Sequence, residues 1–236
     1  MTENPTYQVC GISEPIRSAE ALDALVGKLG FLPFFKNELP GFSVEEHTPQ
    51  ALWFPEDETC EGPWEWKGPV VRMKNCVYGK FFRRKAGFIS REWFGDFLNY
   101  RRDGYDFDAR YDDGLAAYKD KLLYDVLLEH GSLLTGELRD LANFRKGGNK
   151  GFETVITRLQ MQGYVIIEDF VYKTDDAGNR SGWGIARYTT PEALFGADFV
   201  QTAYQRTPEE SRARLLAHLA SILPQAEGRQ LLSVLG

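Results

Sequence analysis

Apolar residues in the first hundred positions recur at helical spacing in two places. One such segment follows Ser18 and ends at Gly30, and the other follows Ser90. Serine side chains accept hydrogen bonds from the first turn of a helix, and glycine readily adopts the backbone conformation that ends one. These signals predict two helices that begin at the serines.

Two short apolar runs between these helices, at 69–73 and 76–82, predict strands joined by a tight turn at residues 74–75. Residues 18–113 are therefore expected to form an α/β region. Residues 1–17 lack such a pattern and are expected to form a loose tail.

The pattern becomes most regular between residues 114 and 192. It predicts, in order, a helix at 115–130, an extended piece at 132–134, a short helix capped by Thr135, a helix at 151–162, and strands at 164–173 and 183–189. This is the element order of a winged helix-turn-helix. The predicted fold class is α+β, with helices at 193–236 packing on the body.

Composition narrows the class of protein. No run approaches the roughly 18–20 apolar residues of a membrane span, and the N-terminus has no basic stretch followed by an apolar one, so we expect neither a signal peptide nor a membrane partner. Three cysteines and three histidines are scattered at spacings that fit neither a disulfide framework nor a metal site. We expect a cytoplasmic protein with reduced thiols and no metal or cofactor.

Charge is unevenly distributed, although the chain as a whole carries a net charge of −6. Residues 37–66 hold eight acids and no Lys or Arg, whereas residues 72–110 hold ten Lys or Arg and five acids. One interpretation is a basic face that attracts phosphate on an otherwise acidic molecule. The alternative is that the two segments neutralise each other across the fold.

The helix predicted at 151–162 is the one that would enter the major groove of DNA. Its face opposite the apolar residues can both donate and accept hydrogen bonds, as the reading of base edges requires. Arg145 and Lys146 in the preceding turn are placed to contact phosphates, and Arg180 in the wing to reach the backbone or minor groove. The predicted partner is double-stranded DNA, including damaged DNA. The face consists of Lys150, Glu153, Thr154, Thr157 and Arg158.

A second basic segment lies at 80–85, where Lys80, Arg83 and Arg84 flank two phenylalanines. Cations can bind phosphates, and aromatic rings can stack on bases, so this combination is suited to binding unpaired nucleotides. The alternative is a strand whose aromatic residues face the core and whose cations face water.

The charge of the predicted winged helix-turn-helix, called the module below, leaves a structural role open. Residues 115–192 hold ten Lys or Arg and eleven acids, whereas DNA-binding modules usually carry a positive excess. The module can instead serve as a protein-interaction scaffold or in a homodimer. Its recognition face would then be covered by another part of the chain or by a second copy.

Several motifs resemble those of the small bacterial AlkZ-related proteins. They are Tyr78-Gly79-Lys80-Phe81-Phe82, Leu159-Gln160-Met161-Gln162-Gly163-Tyr164 and Trp183-Gly184. The resemblance covers most of the chain and extends more weakly to winged-helix DNA glycosylases, which unhook alkylated bases and interstrand crosslinks. It implies a catalytic role for Gln160 and Gln162, because those enzymes position the attacking water with a Gln-x-Gln motif.

Helix geometry limits how the two glutamines can cooperate. Residues two apart on an α-helix point about 200° apart, so both side chains reach one substrate only if the helix unwinds between them, which the following Gly163 makes possible. The alternative is that Gln160 is exposed and that Gln162 satisfies backbone groups at the helix end.

We also expect a cavity where the N-terminal region meets the module, because pockets form preferentially where two units meet. Aromatic walls with a few cations suit a planar ligand such as a base. The alternative is that the tryptophans only anchor a loop against the core. The predicted border is Trp64, Trp66, Tyr78, Lys80, Arg83 and Tyr105.

Overall fold

The computed structural model describes residues 9, 12–55, 60–174 and 180–236. Its helices are α1 (Ala19–Leu29), α2 (Val44–His47), α3 (Pro63–Arg72), α4 (Arg91–Arg102), α5 (Phe107–Asp112), α6 (Tyr118–His130), α7 (Thr135–Leu141), α8 (Phe152–Met161), α9 (Pro191–Phe195), α10 (Ala197–Gln201), α11 (Pro208–Ile222) and α12 (Gly228–Leu235). The strands are β1 (Phe31–Pro33), β2 (Cys76–Phe82), β3 (Lys85–Ser90), β4 (Ser132–Leu134), β5 (Ile166–Thr174) and β6 (Arg180–Thr189), and 3₁₀ turns lie at Gln50–Leu52 and Thr202–Gln205. Most of the predicted tail and part of the acidic segment 37–66 lie outside the described residues.

Within the described part of the chain, the strands form one antiparallel sheet in the order β1-β3-β2-β5-β6-β4. β2 and β5 meet at Tyr78 and Ile167. This pair joins the predicted N-terminal region to the predicted module, so the sheet is continuous between them. The helices and antiparallel sheet agree with the predicted α+β class, and the domain boundaries at residues 17, 113 and 192 remain predictions.

The hairpin of the N-terminal region differs from the predicted one. The strand at 76–82 is confirmed as β2, but residues 69–72 belong to α3 instead of a strand. Pro63 in the first turn and Glu65, which accepts a hydrogen bond from the Gly62 N–H, start a helix here. A short apolar run does not by itself distinguish a strand from a buried helical segment.

The tight turn is formed by Arg83 and Arg84 instead of residues 74–75. It links β2 to β3, a strand that the apolar pattern did not predict. Both arginines have positive φ, at 48° and 70°, as the two central residues of a type I′ hairpin turn do. Arginine is not a typical residue at such positions, so this turn carries no clear sequence signal.

Segment 118–189 contains its predicted elements in the predicted order, α6, β4, α7, α8, β5 and β6. Thr135 is the first residue of α7 and not its cap. Leu134 holds the cap position, and its backbone N–H donates to Glu137. The face of α8 predicted to be apolar is buried and comprises Phe152, Val155, Ile156 and Leu159.

The C-terminal helices are held to α4 by buried polar contacts. Ser211 of α11 accepts a hydrogen bond from Asn99 and donates one to Asp96. Arg102, only 1% exposed, pairs with Glu192 at 2.7 Å. These contacts fix the position of α4, which forms a wall of the cleft described below. No helix within the described ranges is long and apolar enough to cross a membrane.

Candidate nucleic-acid interface

The face of α8 opposite its apolar residues is split into an exposed part and a covered part. Glu153 and Thr154, near the N-terminal end, are exposed. Thr157 and Gln160 are buried because β2 lies across the later part of the helix, where Lys80 Nζ is 3.3 Å from Thr157 Oγ1. The prediction of an open recognition face is therefore wrong at Thr157.

Gln160 is fully buried and joins α8 to β2. Its Oε1 accepts a hydrogen bond from the Lys80 backbone N–H at 3.1 Å, and its Nε2 donates to the Ile156 carbonyl oxygen at 3.2 Å. Both ends of the amide are occupied. The interpretation that Gln160 is exposed is wrong.

Gln162 is half-buried and lines a cleft beside the end of α8. Its Oε1 is enclosed and has no hydrogen-bond partner among the described residues. Its Nε2 donates no hydrogen bond to a described residue either, so the side chain does not satisfy the carbonyl groups of the helix end, which corrects the alternative interpretation. The two glutamines face different surroundings, as a separation of two helical residues implies.

The cleft has a volume of about 590 Å³ and lies between α8, the end of α4 and the β2–β3 turn. The lining holds three arginines and Asp103, and Asp120 lies behind one of the arginines, so the wall keeps a small positive excess. Five of the lining residues, Arg84, Thr154, Thr157, Arg158 and Gln162, are candidates from the sequence, but the pattern does not predict that they share a wall. The lining comprises Arg84, Tyr100, Arg101, Asp103, Thr154, Thr157, Arg158, Met161 and Gln162.

The three arginines differ in how they are neutralised. Arg158 forms a bidentate pair with Asp120, whose side chain is 2% exposed, and these hydrogen bonds raise the pKa of Arg158. Arg101 donates to the Met161 carbonyl oxygen at 2.6 Å, and burial lowers the pKa of Arg101. Arg84 is exposed and has no ion pair or hydrogen bond within the described part of the chain. It is the cation of the cleft most available to a ligand.

Asp120 is not among the residues predicted from the sequence. It precedes Leu123 by three positions and Leu127 by seven, and both leucines are fully buried, so Asp120 lies on the apolar face of α6. A buried carboxylate at such a position indicates a basic partner. That signal was present, but the identity of the partner, 38 positions along the chain, was not predictable from it.

The remaining predicted contact residues are either unpaired or held in exposed ion pairs. Lys146 and Lys150 are exposed and carry no ion pair among the described residues. Exposed ion pairs contribute little to stability, so a phosphate can replace the acid in the others. These pairs are Lys80 with Glu153 at 3.7 Å, Arg83 with Glu38 at 3.2 Å, Arg145 with Asp140 at 2.9 Å and Arg180 with Glu61 at 2.6 Å.

A cavity does lie where the N-terminal region meets the module, namely the basic cleft, but the residues predicted to border it are wrong. Trp66 and Tyr78 pack in the core, and Arg83 lines a separate cavity of about 370 Å³ beside Phe82. Trp64 precedes Trp66 by two residues on α3, so the two rings point to opposite sides. The set Trp64, Trp66, Tyr78, Lys80, Arg83 and Tyr105 therefore does not share one wall.

The described residues contain no group of three or more side chains able to hold a metal ion. Cys60 is exposed and Cys76 is buried, and burial raises the pKa of the Cys76 thiol. The buried thiol is therefore a poor nucleophile.

Comparison with known proteins identifies the family. The AlkZ-related family matches residues 16–236, nearly the whole chain. The chain belongs to the AlkZ-related family. No curated protein and no solved structure matches it. Membership confirms the resemblance seen in the motifs, and it relates this AlkZ-related protein to DNA repair.

Proposed function

We propose that this AlkZ-related protein binds double-stranded DNA in a role related to repair, and that residues 118–189 form a winged helix. The observation that carries the proposal is the basic cleft beside α8, where Arg84, Arg101 and Arg158 share a wall with Gln162. Arginines grouped along one wall suit contact with phosphates. The relation of the family to DNA repair supports DNA as the ligand.

The winged-helix interpretation rests on the order and pairing of the elements. α6, α7 and α8 precede the hairpin β5–β6, and β4 pairs with β6 from Ser132 opposite Thr189 to Leu134 opposite Arg187. The β5–β6 hairpin, which follows α8, is thereby paired with the strand that directly precedes α7. This is the arrangement expected of a wing.

The covering of α8 by β2 limits how DNA can approach. Gln160 cannot reach base edges while Lys80 lies across it. The accessible cations are Lys146 and Lys150 before the helix and Arg84 at the cleft. Because these side chains would contact phosphates, binding should depend steeply on salt and weakly on sequence.

Fluorescence anisotropy with a labelled duplex, measured over a series of salt concentrations, tests DNA binding. The variant Arg84→Ala/Lys150→Ala removes two unpaired cations, and Lys28→Ala/Arg212→Ala removes two exposed cations elsewhere as a matched control. Each lost phosphate contact reduces the slope of log affinity against log salt by about 0.9. We expect a reduction of up to about 1.8 in the first variant only.

Two results would contradict DNA binding through this surface. One is the absence of salt-dependent duplex binding, and the other is equal behaviour of the two double variants. Sedimentation of the free protein in parallel tests the alternative of a homodimer or an interaction scaffold.

A second candidate function, excision of a damaged base, is favoured by the position of Gln162 on the cleft wall. The cleft volume lies within the roughly 300–1,000 Å³ of small-molecule sites and can hold an extrahelical base. Gln160 has no free amide atom to position water, so excision would depend on Gln162. Release of a base from alkylated duplex that is lost in Gln162→Ala, with duplex binding retained, supports this function. Equal release by both proteins contradicts it.

A further inference from the structure

A second surface lies on the β5–β6 hairpin, where Trp183 is 69% exposed. Its ring packs edge-on against Trp64 of α3, with centroids 5.5 Å apart. Tyr172 of β5 donates a hydrogen bond to the carbonyl oxygen of Trp64 at 3.3 Å, which holds the hairpin against α3. We call Trp64, Lys67, Tyr172, Arg180 and Trp183 the aromatic patch.

Two cations lie among the rings of the aromatic patch. Lys67 is half-buried beneath the rings, with Nζ 4.8 Å from the Trp64 ring centroid and 4.4 Å from that of the buried Phe170, and it forms no ion pair within the described part of the chain. The Arg180 guanidinium lies 5.1 Å from the Tyr172 ring centroid and pairs with Glu61, which is itself partly exposed. Rings beside cations offer stacking faces together with attraction for phosphate.

We propose that the aromatic patch binds an unstacked nucleobase of single-stranded DNA, with the base stacked on Trp183. The inference rests on the proposed function, because it takes DNA as the ligand. It adds a second contact, since none of the patch residues lines the basic cleft. The cleft would hold duplex backbone, and the aromatic patch would hold a base that has left its stack.

The size of the exposed surface favours a base over a protein partner. A tryptophan side chain offers about 150–250 Å², so a ring that is 69% exposed presents roughly 100–170 Å². A stable protein interface buries about 800 Å² on each partner. One ring with neighbouring cations is too small for such an interface but matches the face of one base.

Tryptophan fluorescence of the full chain tests the inference with two probes, a single-stranded oligothymidylate and a blunt duplex of equal length. The variants are Trp183→Ala and Trp183→Phe. Phe54→Ala is the control, because Phe54 is 70% exposed and lies outside the aromatic patch. Affinities of the variants are read by anisotropy with the same labelled probes, and near-UV circular dichroism checks that each variant keeps its tertiary structure.

We expect Trp183→Ala to weaken binding to the single strand about tenfold, because loss of one stacked base has an effect of this order. Trp183→Phe should restore most of the affinity, and Phe54→Ala should bind like the unaltered protein. Affinity for the duplex should not change in any of the three variants. Quenching by the single strand should be smaller in Trp183→Phe than in the unaltered protein.

Three results would overturn the inference. The first is unchanged single-strand binding by Trp183→Ala, and the second is an equal loss of affinity for both probes. The third is quenching of Trp183 that grows with protein concentration in the absence of DNA, which would identify a second copy of the chain as the occupant. Failure of the unaltered protein to bind the duplex contradicts the proposed function instead. The two failures are therefore distinguished by the probe.

Discussion

Replacing Asp120 with asparagine should lower stability and strengthen DNA binding at once. Asp120 accepts hydrogen bonds from Nε and Nη2 of Arg158 and one from the Ala117 backbone N–H, and its side chain is 2% exposed. Asparagine keeps an oxygen for the Ala117 N–H but removes the charge that neutralises Arg158. The Asp120 carboxylate therefore stabilises the fold but reduces the positive charge that the basic cleft presents to DNA.

The expected loss of stability follows from the exposure of the two partners. Breaking a fully buried ion pair costs about 3–5 kcal/mol. Arg158 is 39% exposed, so water can solvate its guanidinium once the carboxylate is gone. We therefore expect the free energy of unfolding to fall by about 1–2 kcal/mol, measured by urea titration.

The expected gain in DNA affinity follows from the freed charge. One additional cation facing phosphates should steepen the slope of log affinity against log salt by about 0.9. For a fourfold reduction in salt, the affinity of the variant should therefore rise about 3.5-fold more than that of the unaltered protein. Asp125→Asn is the matched control, because Asp125 lies on the same helix and pairs with Lys121 at an exposed site. The control should change stability by less than about 0.5 kcal/mol.

Two outcomes would refute this reasoning. If Asp120→Asn is as stable as Asp125→Asn, the buried pair does not stabilise the fold. If both variants share one salt slope for duplex binding, Arg158 does not face DNA.

Three further predictions concern stability. Gln160→Leu leaves the Lys80 N–H buried and unpaired, so the free energy of unfolding should fall by about 1–3 kcal/mol in urea, and an unchanged midpoint would contradict this. Gly163→Ala would place a Cβ 2.5 Å from Leu98 Cδ2 on a residue whose φ is 75°. The thermal midpoint should therefore fall by at least about 2–4 °C, and a midpoint equal to that of the unaltered protein would contradict this strain. Burial lowers the pKa of Lys67 to about 8 from 10.5. Between these pH values the unfolded chain binds more protons than the folded one, so the free energy of unfolding should rise with pH by up to about 1.4 kcal/mol per pH unit above pH 8. Urea titrations at each pH measure this rise, and Lys67→Met should lack it.

Local signals in the sequence determined most of the elements. Ser18 caps α1 and Gly30 ends it as predicted, and the apolar face of α8 is buried as its spacing indicates. Helical spacing and capping depend on residues within about four positions, so they can be read from the chain alone. The prediction was wrong at 69–73 and at the Arg83–Arg84 turn, where the short pattern fitted more than one local structure.

The tertiary structure alone decided what covers each face. Gln160 is buried because it bonds to a backbone group 80 positions earlier, and Asp120 is paired with an arginine 38 positions later. Trp64 and Trp183 are brought together by the packing of α3 on β5 and β6. Spacing determines which residues share a face of a helix or strand, but the residues that pack against that face are set by long-range contacts that the periodicity does not encode. The basic cleft and the aromatic patch both depend on such contacts.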